Sequence, residues 1–133
     1  MRLRNIPGAR ETIAESPWTV KEPAALKGHW NSVFEKPQPL HLEIGTGKGR
    51  FIMQLAQEHP EINYIGIEKY SSVLLRAIQK REESEINNLY FIRMDAETIA
   101  DVFEKDEVEK IIVMDNGMRI EIEGIIGVEI DKG

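Results

Sequence analysis

The stretch that most constrains the fold is LEIGTGKGRF, residues 42–51, in which an apolar run gives way to glycines at alternate positions. Gly45, Gly47 and Gly49 lie where a strand ends and a helix begins. Glycine weakens both strands and helices, so it is useful where a backbone turns tightly or approaches another group closely. The stretch therefore predicts a strand, a glycine-rich turn that faces a ligand, and a helix.

Strand and helix patterns alternate through the middle of the chain. Apolar runs predict four strands, and amphipathic periodicity predicts three helices between them. The strands are predicted at 40–44, 62–68, 88–94 and 109–114, and the helices at 50–59, 71–84 and 96–106. Short joints between these elements predict an α/β fold, in which helices cover a parallel sheet on both faces.

Two segments flank this alternating region. Residues 1–38, which are punctuated by prolines, are predicted to form an N-terminal extension with a short helix near 22–34. Residues 39–114 are predicted to form the ligand-binding half-domain. Residues 115–133 are predicted to form a β tail.

The tail begins with a predicted turn at 115–117 and then alternates apolar and charged positions. We predict that 118–131 form two antiparallel strands packed beside the 109–114 strand. Such a pair would cover an exposed sheet edge and would carry no catalytic group. The same alternating segment is a candidate for self-association through its own edge.

Composition limits the class of protein. A chain of 133 residues suits one domain, and the absence of cysteine excludes disulfides and thiolate metal sites. The chain has no run of 18 apolar residues and no signal-peptide pattern, so the prediction is a cytoplasmic protein without a membrane span. The histidines show no ligand spacing, so no metal is expected. The net charge of −6 argues mildly against a nucleic-acid partner.

Two acidic residues indicate the chemistry of the ligand. Glu68 closes the second predicted strand 19 residues after Gly49, where a carboxylate can accept hydrogen bonds from ribose hydroxyls. Glu43 lies two residues before Gly45, where it would repel a pyrophosphate. A carboxylate there suits a cationic ligand instead, such as the ammonium and sulfonium groups of S-adenosylmethionine.

A third carboxylate, Asp95, follows the third predicted strand. It could accept a hydrogen bond from the exocyclic amine of adenine. Each acid taken alone could equally be a surface or helix-capping carboxylate. Acids at three successive strand ends beside a glycine-rich turn favour binding of an adenosine-type ligand.

The stretches MRLRNIPGARETIAESPW, LEIGTGKGRFIMQLAQEHPEINYIGIEKY and NLYFIRMDAE resemble the bacterial tRNA (guanine-N7)-methyltransferases over about residues 1–111. The resemblance implies a Rossmann-like methyltransferase sheet and methyl transfer from S-adenosyl-L-methionine to N7 of a guanine in the tRNA variable loop. It implies that tRNA is the partner. The cofactor-binding residues that it implies are Glu43, Gly45, Gly47, Gly49, Glu68 and Asp95.

The sequence departs from the family after the fourth predicted strand. The family's motif aspartate, which holds cofactor and guanine, would fall at about position 117, where this chain has Gly117. The family's basic tRNA-binding residues are also absent. The expectation is a sheet truncated after strand four and followed by an unrelated tail, with catalytic residues unknown. The alternative is an inactive module that binds S-adenosylmethionine or S-adenosylhomocysteine, or a truncated or engineered product.

Overall fold

A computed structural model describes residues 6–115 and 118–123 of the chain. In this described part, five strands form one sheet in the order β3-β2-β1-β4-β5. The strands are β1 (Leu40–Ile44), β2 (Asn63–Glu68), β3 (Leu89–Arg93), β4 (Lys110–Asp115) and β5 (Met118–Glu123). The α-helices are α1 (Ala9–Glu15), α2 (Arg50–Glu58) and α3 (Ser71–Glu82).

The first strand in sequence lies at the centre of the sheet. β1 pairs in parallel with β2 on one side and with β4 on the other, and β2 pairs in parallel with β3. Parallel strands need crossover connections, and α2 and α3 supply two of them. The predicted α/β architecture with a parallel sheet is confirmed. Cover by α-helices on both faces is not, because the buried apolar residues of all three described α-helices belong to one core, and 3-10 segments contribute to the other.

Apolar side chains cover both faces of this sheet, as expected for buried parallel strands. One core contains Leu42 and Ile65 together with the aromatic pair Trp30 and Phe103, whose rings stack with centroids 4.9 Å apart. The other core lies under the three α-helices, and its buried members are Ala9, Ile13, Ile52, Met53, Ala56, Tyr64, Leu74, Leu75, Ala77, Ile78, Leu89 and Phe91. Residues on both sides of the predicted division at residue 38 contribute to both cores.

Main-chain pairing extends beyond β3 at one edge of the sheet. The Phe91 amide donates to the Trp18 carbonyl at 2.8 Å, and the Val20 amide donates to the Phe91 carbonyl at 2.9 Å. The Trp18 ring also stacks on the Arg81 guanidinium of α3, 3.7 Å from the ring centroid. The N-terminal segment is therefore built into the sheet and its helical cover.

At the other edge, β5 pairs antiparallel with β4, with Val113 opposite Ile120. This confirms the first of the two tail strands predicted in 118–131, while the second lies outside the described residues. The Ile120 side chain is 46% exposed. Asp115 is the last residue of β4, opposite Met118, so its predicted place in a turn is wrong. The added pairing with β5 extends the strand by one position.

Two helix predictions are wrong in type or extent. The predicted helix at 96–106 is a short 3-10 helix, Ala96–Asp101, with non-helical angles at Thr98. Adjacent β-branched residues, Thr98 and Ile99, weaken an α-helix there, and burial of Ile99 and Phe103 holds the chain close to the core. The predicted helix near 22–34 is two 3-10 turns, Pro23–Leu26 and Trp30–Val33.

A left-handed residue and a carboxylate explain the break between those two turns. Gly28 has a φ of +82°, which an α-helix does not accommodate. The Glu107 carboxylate accepts hydrogen bonds from the amides of Gly28 at 2.9 Å and Trp30 at 3.0 Å. The helix α1 was not predicted, although Ala9 and Ile13 show helical spacing and are both buried.

In the described part of the chain, no helix has the length and apolar character needed to cross a membrane.

Candidate ligand-binding site

The glycine-rich turn after β1 needs glycine for its backbone angles. Gly45, Gly47 and Gly49 have φ values of +79°, +60° and +78°, in the left-handed region that other residues rarely adopt. The amides of Gly45 and Thr46 both donate to the Ile67 carbonyl, at 2.9 and 3.1 Å. The turn is therefore folded back onto the carboxyl end of β2.

Each of these glycines has a different neighbourhood. A Cβ on Gly45 would lie 3.2 Å from the Met114 carbonyl oxygen, whereas a Cβ on Gly47 would meet, among the described residues, the Gly45 oxygen alone, at 4.0 Å. A Cβ on Gly49 would lie 2.8 Å from the Cβ of Ala77. Gly49 thus allows α2 to approach α3, and Gly47 leaves open space above the turn.

The Glu68 carboxylate ties the turn to the end of β2. One of its oxygens accepts a hydrogen bond from the Gly47 amide at 2.9 Å, and the other accepts one from the Tyr70 amide at 3.0 Å. Glu68 is a buried residue, with 7% of its surface exposed. Each carboxylate oxygen has further lone pairs, so both can accept a second hydrogen bond from a ligand hydroxyl.

Glu43 is a buried acid beneath the turn, only 1% exposed. Its Oε1 accepts a hydrogen bond from the Thr46 hydroxyl, and no described residue donates to its Oε2. Burial raises the pKa of Glu43 to about 7, the Thr46 hydrogen bond lowers it, and the nearby Glu68 charge raises it. A buried oxygen without a donor favours a ligand that brings a donor or a positive charge.

Asp95 lies at the exposed end of β3. Its Oδ1 accepts a hydrogen bond from the Glu97 amide at 3.0 Å and thereby caps the 3-10 helix that follows. Its Oδ2 lies 3.8 Å from Nζ of Lys69. The side chain thus has a local structural function in addition to the binding function predicted for it.

A cavity of about 420 Å³ opens at the carboxyl ends of β1, β2 and β3. Three of the predicted site residues, Gly45, Glu68 and Asp95, line it together. Its other lining residues are Ile44, Ile67, Lys69, Tyr70, Val73, Met94 and Ala96. The other predicted residues lie outside this lining. Glu43 lies beneath the turn, the Gly47 amide donates a hydrogen bond to Glu68, and Gly49 packs against α3. In an open α/β sheet, ligands bind in such a crevice outside the carboxyl ends of the strands.

Sequence reasoning missed Thr46 and Gly66. Gly66 pairs with Glu43 in the register of β1 and β2, and a Cβ on it would lie 2.7 Å from the Thr46 hydroxyl oxygen. A glycine inside an otherwise apolar strand often marks the close approach of another group. That signal, in the stretch NYIGIE, was available in the sequence.

No group of three or more metal-ligating side chains occurs among the residues that the structure describes.

Residues 37–114 match the model of a family described as "Putative methyltransferase". The chain belongs to this methyltransferase family. The match covers the strand β1, the glycine turn and all three acids of the candidate site, and it ends at Met114. The resemblance found in the sequence is thereby confirmed at the level of the family.

Curated relatives of this methyltransferase chain carry a specific name. A tRNA (guanine-N(7)-)-methyltransferase of Lachnoclostridium phytofermentans is 61% identical over 111 residues, which are 84% of this chain and 52% of that protein. The protein of the same name from Halalkalibacterium halodurans is 45% identical over 114 residues, 85% of this chain and 52% of its own length. The chain spans about half the length of the curated relatives that it matches.

A solved structure shares the fold of this methyltransferase chain. Phosphoethanolamine N-methyltransferase 2 of Haemonchus contortus, in complex with phosphomonomethylethanolamine and S-adenosylhomocysteine, superposes with a TM-score of 0.51. It is 20% identical, and the match covers 81% of this chain and 25% of that one. The predicted Rossmann-like methyltransferase fold is confirmed, together with the antiparallel strand β5 at its edge.

Proposed function

We propose that this chain binds S-adenosyl-L-methionine in the cavity at the carboxyl ends of β1, β2 and β3, as part of a tRNA (guanine-N7)-methyltransferase. The observation that carries the proposal is the arrangement of the three acids around the glycine turn. Gly45, Glu68 and Asp95 line one cavity, and Glu43, two residues before Gly45, has a buried oxygen to which no described residue donates.

The two carboxylates Glu68 and Glu43 fit the two ends of this cofactor as hydrogen-bond acceptors. The Glu68 carboxylate, held by the amides of Gly47 and Tyr70, is fixed in place to accept hydrogen bonds from ribose hydroxyls. Glu43 supplies a buried acidic group for the cationic amino acid end. Binding of a cation favours the charged form of Glu43, which desolvation otherwise disfavours.

The chain's own residues would act by orientation. S-adenosylmethionine, when bound, supplies an electrophilic methyl group on a sulfonium. Guanine N7 carries a lone pair and needs no general base before it attacks, so alignment of the two atoms is the main requirement. The apolar lining residues Ile67 and Met94 would exclude water from the adenosine end of the cavity. No catalytic residue is assigned, because Gly117 stands where the resemblance implies the family's aspartate.

The names of the curated relatives support tRNA as the methyl acceptor. tRNA is therefore the methyl acceptor that we propose for this chain. The proposed location is the cytoplasm, where a bacterial enzyme meets its tRNA. The net charge of −6 means that this chain contributes little general attraction for phosphates. Sequence-independent affinity for tRNA would therefore be low for this chain alone.

A second candidate function is a module that binds S-adenosylmethionine or S-adenosylhomocysteine without methyl transfer. The family match at 37–114 contains every predicted cofactor residue and none of residues 115–133. Cofactor binding would then be retained in a chain that lacks the groups which place the guanine.

Calorimetric titration of the full chain with S-adenosylhomocysteine tests the shared part of both candidates. The expected result is binding that is weakened in Glu68→Ala and unchanged in Glu85→Ala, whose side chain is exposed and does not line the cavity. Wild-type protein that shows no binding overturns both candidates.

A methylation assay then separates the two candidates. Unmodified tRNA is incubated with the chain and S-adenosylmethionine labelled on its methyl group. Label recovered as 7-methylguanosine supports the methyltransferase. Binding without label in tRNA supports the binding module instead.

A further inference from the structure

We propose that Thr46 is a positioning residue for the Glu43 carboxylate, and that Gly66 provides the space which this requires. In this arrangement one oxygen of Glu43 is held by Thr46, and the other is left for the cationic group of the ligand. The inference rests on the proposed binding of S-adenosylmethionine and assigns a role to two residues outside the cavity lining.

Two hydrogen bonds, one from its backbone and one from its side chain, hold Thr46 in place. Its amide donates to the Ile67 carbonyl at 3.1 Å, which fixes the backbone of the turn against β2. Its hydroxyl donates to Glu43 Oε1, and the residue as a whole is buried, with 7% of its surface exposed. This hydrogen bond thus connects the glycine turn to the preceding strand, β1.

Gly66 makes this geometry sterically possible. It lies beside Glu43 in the parallel register of β1 and β2. A Cβ at this position would lie 2.7 Å from the Thr46 hydroxyl oxygen and 2.9 Å from Cδ1 of Phe91. Contacts this short force something to move, and the Thr46 hydroxyl oxygen is the nearest of the atoms that the new Cβ would meet. A side chain at position 66 would therefore displace the Thr46 hydroxyl from Glu43.

The charges around Glu43 explain why the hydrogen bond matters for ligand binding. Glu68, at the end of β2, is the charged group that acts on Glu43, and it disfavours ionisation. The register neighbours on β2 and β4, Gly66 and Ile112, are uncharged. Lys48 in the glycine turn and Arg50 at the start of α2 are exposed. Thr46 is the group that favours the charged form.

The test compares Thr46→Val, which removes the hydroxyl at nearly constant shape, with Thr46→Ser, which keeps it. S-adenosylhomocysteine, whose amino group is cationic, is titrated into the full chain by calorimetry at several pH values around 7. In the wild type and Thr46→Ser, affinity should rise with pH through the Glu43 pKa. In Thr46→Val, affinity at neutral pH should fall about tenfold or more, and the midpoint should move to higher pH.

A second measurement reads Glu43 without any ligand. Carboxyl-carbon NMR gives the pKa of Glu43 in each variant, and it should rise in Thr46→Val and in Gly66→Ala but not in Thr46→Ser. A general loss of structure would not produce this pattern, because exposure of Glu43 to water would return its pKa toward the ordinary value of 4.5 rather than raise it further.

Three results would overturn the inference. A Thr46→Val protein with the wild-type midpoint and affinity would show that the hydroxyl does not position Glu43. Weaker binding at every pH with an unmoved midpoint would assign Thr46 a role in packing alone. Wild-type protein that binds no S-adenosylhomocysteine would overturn the proposed function and this inference with it, whereas the first two results leave the proposed function intact.

Discussion

Glu68 Oε1 accepts a hydrogen bond from the Gly47 amide at 2.9 Å, which joins the end of β2 to the glycine turn that follows β1. The carboxylate proposed to hold the ribose is therefore also the group that fastens the turn. A substitution at Glu68 is therefore expected to affect both ligand affinity and the conformation of the glycine turn.

Replacing Glu68 by alanine should weaken binding of S-adenosylhomocysteine by about 1–3 kcal/mol, the scale of hydrogen bonds lost from a charged group. Glu68→Gln should retain part of the affinity, since its amide oxygen can still accept from one backbone amide. Calorimetry on both variants, with Glu85→Ala as the control, checks this order. Equal affinity in Glu68→Ala and wild type would contradict the ribose assignment.

The buried Glu43 should make stability depend on pH. Burial raises the pKa of Glu43 in the folded protein to about 7, above its ordinary value of 4.5, so the unfolded chain ionises first as pH rises. The free energy of unfolding should therefore fall between pH 4.5 and about 7 and stay lower above that window. Glu43→Gln removes this titration, so its stability relative to wild type should grow by up to about 3 kcal/mol across the window. Urea unfolding at several pH values measures it.

A matched control for that comparison is Glu85→Gln, in which an exposed acid is neutralised. Its stability relative to wild type should change little across the same window. A difference between Glu43→Gln and wild type that is flat from pH 4.5 to 7 would mean that Glu43 ionises normally in the folded protein.

The glycines of the turn should respond unequally to alanine. In Gly49→Ala the new Cβ would lie 2.8 Å from Ala77 at a φ of +78°, so overpacking adds to backbone strain and the loss should be about 2 kcal/mol or more. In Gly47→Ala the space is open, so strain at a φ of +60° alone should reduce stability by about 1 kcal/mol. Urea unfolding compares the two. Equal losses of unfolding free energy in the two variants would show that α3 moves at Ala77 to accommodate the new Cβ without an energetic cost.

Glu107 should hold the segment before β1 in place. Its carboxylate accepts from the amides of Gly28, Trp30 and Glu104, at 2.9, 3.0 and 2.8 Å. Glu107→Ala leaves these amides without that acceptor and should lower the free energy of unfolding by about 1–3 kcal/mol. Thermal unfolding by circular dichroism measures the effect, with the exposed Asp101→Ala as control. A shift no larger than that of Asp101→Ala would contradict the prediction.

Local pattern was sufficient for the central strands. The bounds of β1 were predicted without error, because LHLEI is a short apolar run that a proline precedes and a glycine follows. The three acids were placed at strand ends for the same reason, since the end of an apolar run can be read directly. The parallel order then brings Glu68 and Asp95 to one cavity.

Long-range contacts decide what the sequence did not reveal. The break at Gly28 depends on Glu107, which is 79 residues away in the chain. The segment around Trp18 forms main-chain hydrogen bonds with the edge of β3, and no local sequence pattern predicts this pairing. One missed contact is local: Glu43 accepts a hydrogen bond from the Thr46 hydroxyl three residues later, and a hydrogen bond between side chains cannot be inferred from the spacing of a motif.

The position of β1 between two parallel neighbours gives its buried acid a further consequence. A slip of β1 by one residue would exchange the faces of Leu42 and Glu43, since side chains alternate along a strand. The carboxylate would then enter the core that contains Trp30 and Ile65, away from the Thr46 hydroxyl. Because β2 and β4 would both have to accept the error, the cost of burying the Glu43 carboxylate in that core disfavours the shifted register.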